Sequence, residues 1–530
     1  MAPDGPTVAR VLHAQRPRAD HPLLICDDDR ITYAEADARS AALARGLLAL
    51  GVGKGTHVGV LYPNGSQFVI AALAAARIGA VAVPFSTFMT AAELRDQVQR
   101  SDVAVLLAAP RYRNHDYRQR LSEAFALSAA DAESGTPLFV PDAPVLRHIA
   151  FEPEALARRG DAVDPTRLSA MEDDVSPADV LAIVYTSGST GLPKGAVHTH
   201  GALLEHQGNL NAIRGLGGDD VLFSNSPFCW IGGFAFSLLA TLVAGSTLVC
   251  SNATDAADTL TLLEREKPTI TNGFVAGIAH LTRHPSFAGR DLSSMRRGNL
   301  YPLMPPGARP ADPELRHHML GMTETGSVVL IDADDTDQPE SRRGSFGRPA
   351  PGFEAEVVDA DTGRPVPTDE PGVLCVRGKY LMQHYHGMSR EDCFDADGWF
   401  HTGDVVRVDA DGYFYFIGRA TSMIKTAGAN VAPPEVEAVL RTALSEVELA
   451  ADGVHVLGLP DPERGEVVAA VIVADADVGP TEFAALATAL GTRLSAYKIP
   501  KRFVSCRPAD IPTLSSGKVD LPALARLFDD

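Results

Sequence analysis

Cysteine is scarce in this chain and tryptophan scarcer, with 6 and 2 in 530 residues. Cys26, Cys229, Cys250, Cys375, Cys393 and Cys506 are scattered, without a C-x-x-C pair. That excludes a disulfide framework and points to reduced, mostly buried thiols rather than a metal cluster. Positive charge is also short: Lys plus Arg number 47 against 67 Asp plus Glu, a formal net charge of −20. Such a balance argues against nucleic acid and anionic membranes as partners, since both need a positive surface. It leaves room for a polyanionic ligand, because a few local cations and backbone N–H groups hold phosphate inside an acidic protein. Long apolar runs are missing. The most apolar stretches, such as AALAAARIGAVAVPF (71–85), are broken by Arg or Gly and are too short to span a bilayer. The N-terminal MAPDGPTVARVLHAQRPRAD has no apolar region of a secretory signal, so a cytoplasmic location is the expectation. His198 with His200, and His317 with His318, lack the i, i+4 spacing of a helical zinc site.

What is present reads as alternating strands and helices in a chain too long for one core. The segment HVGVLYPNGSQFVIAALAAARIGAVAVPFS predicts a strand over His57 to Tyr62, a helix from about Ser66 to Ile78 and a second strand. DVLFSNSPFCWIGGFAFSLLATLVAGSTLVCS repeats that order, ending in a strand over Ser246 to Cys250. A third unit runs from a strand over Val180 to Tyr185 through a Gly-rich loop toward a helix after His200. Continuous apolar strands between helices imply parallel sheets covered on both faces. From about Gly352, short strands separated by Asp/Gly turns suggest an antiparallel, barrel-like piece. Beyond Gly418-Arg419 the pattern becomes a compact α+β unit: PPEVEAVLRTALSE a helix, HVLGLPD and EVVAAVIVAD strands, TEFAALATALGTRLSAYKIP helical. The expected fold class is therefore α/β. Two parallel-sheet subdomains and a small β-barrel-like subdomain fill residues 1–418, and a small α+β domain fills 419–530.

The sharpest local signal is YTSGSTGLPKG, Tyr185 to Gly195. Gly188, Gly191 and Gly195 let the backbone approach a ligand closely. The hydroxyls of Thr186, Ser187, Ser189 and Thr190 are neutral donors, and Lys194 adds a point charge for phosphate oxygens. The loop follows a predicted strand, where phosphate loops sit. It is not a Walker loop, because Pro193 precedes the Lys and Gly195 follows it.

This loop is similar to the phosphate-binding signature of the acyl-adenylate-forming superfamily, which includes acyl-CoA synthetases, adenylation domains and firefly-type luciferases. Further motifs in the expected order extend the resemblance over nearly the whole chain. GMTETG, Gly321 to Gly326, resembles the motif whose Glu holds the Mg²⁺ bridging the ATP phosphates. The resemblance makes Glu324 the metal ligand and Thr323 a phosphate partner, with Gly321 and Met322 beside the nucleotide. FHTGD resembles the ribose-binding motif, which gives Asp404 the sugar hydroxyls. GRATSMIKTAGANVAPPEVEAVL matches the interdomain motif: Arg419 toward ribose, and Lys425, Ala427 and Gly428 in the loop beside the thiol tunnel. PTLSSGKVD resembles the C-terminal motif with the catalytic lysine, here Lys518.

The resemblance implies an acyl-CoA ligase that uses ATP, Mg²⁺ and coenzyme A. The carboxylate attacks the α-phosphorus of ATP, and a thiol then takes the acyl group from acyl-AMP after the C-terminal domain swings. Positioning and electrostatic stabilisation dominate such a reaction. Three departures stand out. Thr421 and Ser422 occupy the hinge, where the family usually has Asp or Lys. The stretch Arg296 to Leu320 is short and lacks the Gly-Gly-Ala-Pro turn, and Leu320 replaces an aromatic residue. In PFCWIGGF, Cys229 and Trp230 stand where amino-acid-activating relatives carry an Asp, which disfavours an α-amino acid. Phe228, Trp230, Gly232, Gly233, Phe234 and Phe274 are candidates for an apolar slot taking an aryl, alicyclic or fatty acid, with core packing as the alternative for the aromatics. Other readings stay open. One is a thioester-only ligase fed acyl-AMP by a separate adenylating enzyme; another is an adenylating enzyme loading a carrier protein; a third is a catalytically silent binding protein.

Overall fold

Continuous apolar strands such as HVGVL and VLAIVYT can be buried on both faces only if helices cover them. The computed structural model shows that arrangement. It describes residues 5–128, 136–186, 193–360, 362–419, 424–447, 449–475, 478–512 and 519–529. Two units separate by their internal packing: Met1–Thr87, Val98–Thr186 and Gly195–Ala420 form the first, and Phe88–Gln97, Ser187–Lys194 and Thr421–Asp530 the second.

The first unit holds two six-stranded sheets. In one, His57–Leu61 lies parallel between Val81–Pro84 and Val103–Ala108. Val180–Thr186 pairs with Val81–Pro84, and His148–Ala150 forms one edge, with Lys194–Thr199 at the other. In the second sheet Thr247–Cys250 lies parallel between Val221–Ser224 and Pro22–Cys26. The Ala-rich helix Ser66–Arg77 is buried along almost its whole length, so its small side chains let it pack closely. Helix Tyr33–Ala49 starts with a capping box between Thr32 and Glu35, and Thr199 caps His200–Arg214 by accepting the N–H of Ala202. The apolar helix expected before Thr247 is interrupted: Ile231–Gly233 and Ala240–Ala244 are α-helical, but Phe234–Leu239 is wound as a π-helix. Such wide turns concentrate at functional sites.

After Gly352, the strands Phe353–Val358, Gly372–Gly378, Phe400–Val408 and Phe414–Arg419 pair in sequence as an antiparallel curled sheet. Its inner side chains, among them Val357, Leu374, Phe400 and Phe414, share a core with the strand Ser327–Ile331.

In the second unit, Gly465–Val473 pairs antiparallel with Gly453–Asp461 and parallel with Arg502–Cys506. The helices Pro433–Glu446 and Pro480–Gly491 pack on that sheet through Val436, Leu440, Leu486 and Leu490. The second of these ends at Gly491, short of the expected helix through residue 500. The chain beyond it turns to place Lys498, whose Nζ donates to Glu435 Oε1 at 2.7 Å and Glu93 Oε1 at 3.1 Å. Ser495 Oγ also donates to Glu93 Oε2, at 2.7 Å. Burial holds the Glu435 carboxyl above its usual range, an effect that Lys498 only partly offsets.

Candidate active site

The GMTETG segment folds as the end of one strand, Leu320–Met322, a 3₁₀ turn, Thr323–Thr325, and the start of the next, Ser327–Ile331. Gly321 is needed at the first crossing, because a Cβ there would sit 2.4 Å from the Ser327 carbonyl oxygen. The Tyr385 hydroxyl donates to Glu324 Oε1 at 2.6 Å, and the Met382 N–H donates to the Glu324 carbonyl at 2.8 Å. Glu324 is half-buried.

Buried histidines hold the turn from behind. His198 Nε2 lies 2.8 Å from the Thr323 carbonyl, and His206 Nε2 lies 2.8 Å from the Val328 carbonyl. A carbonyl only accepts, so Nε2 carries the proton in both rings and Nδ1 keeps its lone pair. Among the described residues neither Nδ1 has a hydrogen-bond partner. Charging either ring would bury an unpaired N–H, and burial accordingly lowers both to about 4. Gln207 adds amide bonds to the Gly326 carbonyl at 3.3 Å and Ser327 Oγ at 3.1 Å.

The stretch Gln383 to His386 links this turn to the other motifs of the first unit. Its backbone borders the strand after the phosphate loop, with Val197 N–H on the His384 carbonyl and His386 N–H on the Gly195 carbonyl. The Tyr385 ring meets Phe400 edge-on at 6.5 Å, at the head of the strand Phe400–Val408 that carries Asp404. Asp404 is buried and faces Arg419 in the antiparallel register, so the two expected ribose positions are neighbours along the sheet. Its N–H donates to Thr402 Oγ1 at 3.0 Å. Thr186 ends the strand Val180–Thr186. Ser187, Gly188, Ser189, Thr190 and Gly191 lie outside the described residues, as do Thr421, Ser422 and Lys518.

Lys194 opens the strand Lys194–Thr199. Lys425, Ala427 and Gly428 form a hairpin joining Ile424–Thr426 to Ala429–Val431. Ala427 and Gly428 both have positive φ, +48° and +82°, as a two-residue hairpin turn requires.

The apolar candidates divide. Phe228 is buried and packs edge-on against Phe68 at 5.4 Å, and Phe234 packs against the same ring at 6.3 Å, so both rings contribute to the core. Gly233 approaches the Pro227 backbone closely, and Gly232 precedes it in the same short helix. Trp230 and Phe274 instead form a perpendicular pair at 5.8 Å, with Phe274 exposed. Asn225 fixes that pair by accepting the Phe274 N–H and donating to its carbonyl, both at 2.9 Å. Burial pushes the Cys229 thiol up to about 12, so it stays neutral where amino-acid-activating relatives carry a carboxylate.

Comparison with known proteins gives this geometry a family. Residues 12–386 match the AMP-binding enzyme family. The chain belongs to that family. It is 34% identical over 510 residues to a feruloyl-CoA synthase from Amycolatopsis sp, covering 94% of each chain. It is 30% identical over 464 residues to 4-coumarate–CoA ligase 3 from Oryza sativa subsp. japonica, covering 83% of this chain and 78% of that one. A solved o-succinylbenzoate CoA synthetase from Bacillus subtilis superposes with a TM-score of 0.76 at 24% identity and 98% coverage of both chains, a likeness in fold. By family and relatives the chain is an AMP-forming acyl-CoA synthetase.

For an AMP-binding enzyme, the sequence points to Glu324 but not to the groups that hold it. Tyr385 is 61 residues away and sits in a loop with no motif of its own. His198 shows in the sequence only as half of a pair without zinc spacing, yet its ring supports the Thr323 carbonyl. Among the described residues no group of three or more His, Cys, Asp or Glu is arranged to hold a metal. Glu324 itself offers one hard carboxylate oxygen, the kind of donor that Mg²⁺ takes. Among the described residues no helix is long and apolar enough to cross a membrane.

Proposed function

We propose that this enzyme activates an aryl carboxylate with ATP and passes the acyl group to coenzyme A, in the cytoplasm. The observation that carries the reading is the Glu324 carboxylate, fixed by Tyr385 at 2.6 Å on a turn that buried histidines hold rigid. In this reading Thr186, Ser187, Gly188, Ser189, Thr190, Gly191 and Lys194 cradle the phosphates, and Glu324 and Thr323 meet the metal and the leaving pyrophosphate. Mg²⁺, when bound, neutralises phosphate charge. Asp404 and Arg419 hold the ribose, with Gly321 and Met322 beside the nucleotide. Lys518 stabilises charge between the carboxylate and the α-phosphorus. Residues 1–418 then form the binding domain, and 419–530 the mobile one, whose Lys425, Ala427 and Gly428 border the thiol path. The neutral Cys229 and the Trp230–Phe274 pair favour a flat apolar acid over an α-amino acid. The names of the feruloyl-CoA and 4-coumarate–CoA relatives point to the same class.

The test is carboxylate-dependent exchange of labelled pyrophosphate into ATP, across benzoic, hydroxycinnamic and fatty acids, followed by thioester formation with CoA. Exchange is expected with an aryl acid, and Glu324→Gln lowers it by about two orders of magnitude, the loss typical of one electrostatic stabiliser. Exchange only with fatty acids would overturn the aryl assignment.

One observation favours a second reading. Where the family places a turn, helix and strand, residues 301–315 form three short 3₁₀ turns, Tyr301–Leu303, Pro306–Ala308 and Pro313–Leu315. An adenine pocket altered in this way suits an enzyme that performs only the thioester step on supplied acyl-AMP. No exchange, together with consumption of acyl-AMP and CoA, would establish it. Transfer to a carrier protein in preference to CoA would replace the acceptor.

A further inference from the structure

The strand Ile270–Asn272 lies between Val221–Ser224 and Arg297–Gly298 in the second sheet of the first unit. All three run parallel and stop within a residue of one another, at the carboxyl edge where open α/β sheets take their ligands. Each outer strand is followed at once by an asparagine, Asn225 and Asn299.

Their amides prolong the ladder past the end of the middle strand. Asn299 Oδ1 accepts the Gly273 N–H at 3.0 Å, and its Nδ2 donates to the Gly273 carbonyl at 2.8 Å. Asn225 Oδ1 accepts the Phe274 N–H and its Nδ2 donates to the Phe274 carbonyl, both at 2.9 Å. One amide thus meets both polar groups of one residue, the exchange that facing residues make in an antiparallel pair. Successive residues of an extended chain turn these groups to opposite sides, so Gly273 reaches one flanking amide and Phe274 the other. Gly273 has φ +150°, and a Cβ on it would stand 1.8 Å from Asn225 Oδ1, so the clamp closes only over glycine.

The clamp holds an apolar surface in place. Phe274 and Val275 are 38% and 46% exposed, and the Phe274 ring stands perpendicular to Trp230 at 5.8 Å. Open aromatic faces at a sheet edge suit a ring-bearing ligand. Resting on the reading that this pair receives the acid, we propose that Asn225 and Asn299 are positioning residues for acid selection. They fix Phe274 through the backbone and act on the acid only through that ring.

Steady-state pyrophosphate exchange on the full chain tests this, with the carboxylate that wild type activates best. Asn225→Ala should raise KM for that acid at least about tenfold and leave kcat and the ATP KM within about twofold. Asn299→Ala and Gly273→Ala should move the same constant in the same direction. Asn225→Ala added to Phe274→Ala should cost no more than about twofold beyond Phe274→Ala alone, because the amide acts through that ring. A readout without turnover comes from Trp399→Phe, which leaves Trp230 as the only tryptophan. In that background Asn225→Ala should at least about double the acrylamide quenching of Trp230 fluorescence, since Phe274 no longer covers the indole. Should Asn225→Ala not fold, Asn299→Ala, alone and with Phe274→Ala, gives the same comparisons. Equal rises in the acid and ATP KM, full additivity with Phe274→Ala, an unchanged acid KM or unchanged quenching would each overturn the positioning role. Failure of the aryl reading shows separately, as wild-type exchange with no aryl acid. Should no acid support exchange, the KM for acyl-AMP against that for CoA in thioester formation is judged by the same ratios.

Discussion

The two units solve one problem, how to fix polar groups inside a core, in opposite ways. In the first, uncharged imidazoles hold the Glu324 turn and the strand after it: His198 and His206 each spend one ring nitrogen on a carbonyl, and the other has no partner among the described residues. In the second, Lys498 meets Glu435 and Glu93 as full charges, all nearly out of solvent. The neutral arrangement avoids the desolvation of ions but works only while the rings stay unprotonated. The ionic one depends on every partner being present.

Acid breaks the neutral arrangement first, and with the largest effect. His198, His206 and His200 are all held near 4 by burial, against 6.5 when unfolded. As pH falls below 6.5 the unfolded chain takes up the protons first, so the stability present above that pH is lost progressively toward pH 4. Each ring contributes about 2 kcal/mol to that loss by pH 4.5. Urea midpoints of the first unit, measured from pH 7 to 4.5, should fall steeply, and a flat profile would show that the rings reach solvent.

Removing one charge breaks the ionic arrangement. Lys498→Met leaves two carboxylates facing each other without a cation, at a cost of about 3–5 kcal/mol. Adding Glu435→Gln and Glu93→Gln should restore much of it. If the single variant unfolds within about 1 kcal/mol of wild type, the three groups are solvated and the contrast between the units disappears.

These contrasts also mark what could be read from the chain. Local patterns gave the helix Pro433–Glu446 to the residue, and the strand expected over His57 to Tyr62 appears as His57–Leu61. Each depends on periodicity or a Pro start within a short window. The failures are long-range. The helix expected through residue 500 stops at Gly491, and the chain beyond it brings Lys498 to Glu93, 405 residues away. The π-helical Phe234–Leu239 looks like ordinary apolar helix in sequence. Glu324 carried a motif, whereas Tyr385, which holds its turn, carried none, and His198 showed only as one of a histidine pair without metal spacing.

Tyr385 is where the neutral design meets chemistry. Tyr385→Phe keeps the ring against Phe400 but removes the hydroxyl from Glu324. A hydrogen bond to a charged group is worth about 1.5–3 kcal/mol, and half-exposure places this one at the low end. Pyrophosphate exchange should therefore fall about tenfold, with a higher Mg²⁺ requirement and a loss of stability no larger than the hydrogen bond itself. A fall in stability with unchanged exchange would make the bond structural only.

The smallest effect expected lies in the Ala427–Gly428 turn, where backbone shape rather than charge sets position. Ala427 sits at φ +48°, a region that costs an L-residue roughly 1–2 kcal/mol. Ala427→Gly relieves that strain but adds about 0.5–1 kcal/mol of chain entropy to the unfolded state. The terms partly cancel, leaving a gain between zero and about 1.5 kcal/mol for the second unit. Ala427→Val keeps the entropy and worsens the clash, so it should destabilise by more than Ala427→Gly stabilises. Equal urea midpoints for the Gly and Val variants would mean that the turn relaxes out of the left-handed region, and that the second unit relies on the Lys498 charges alone.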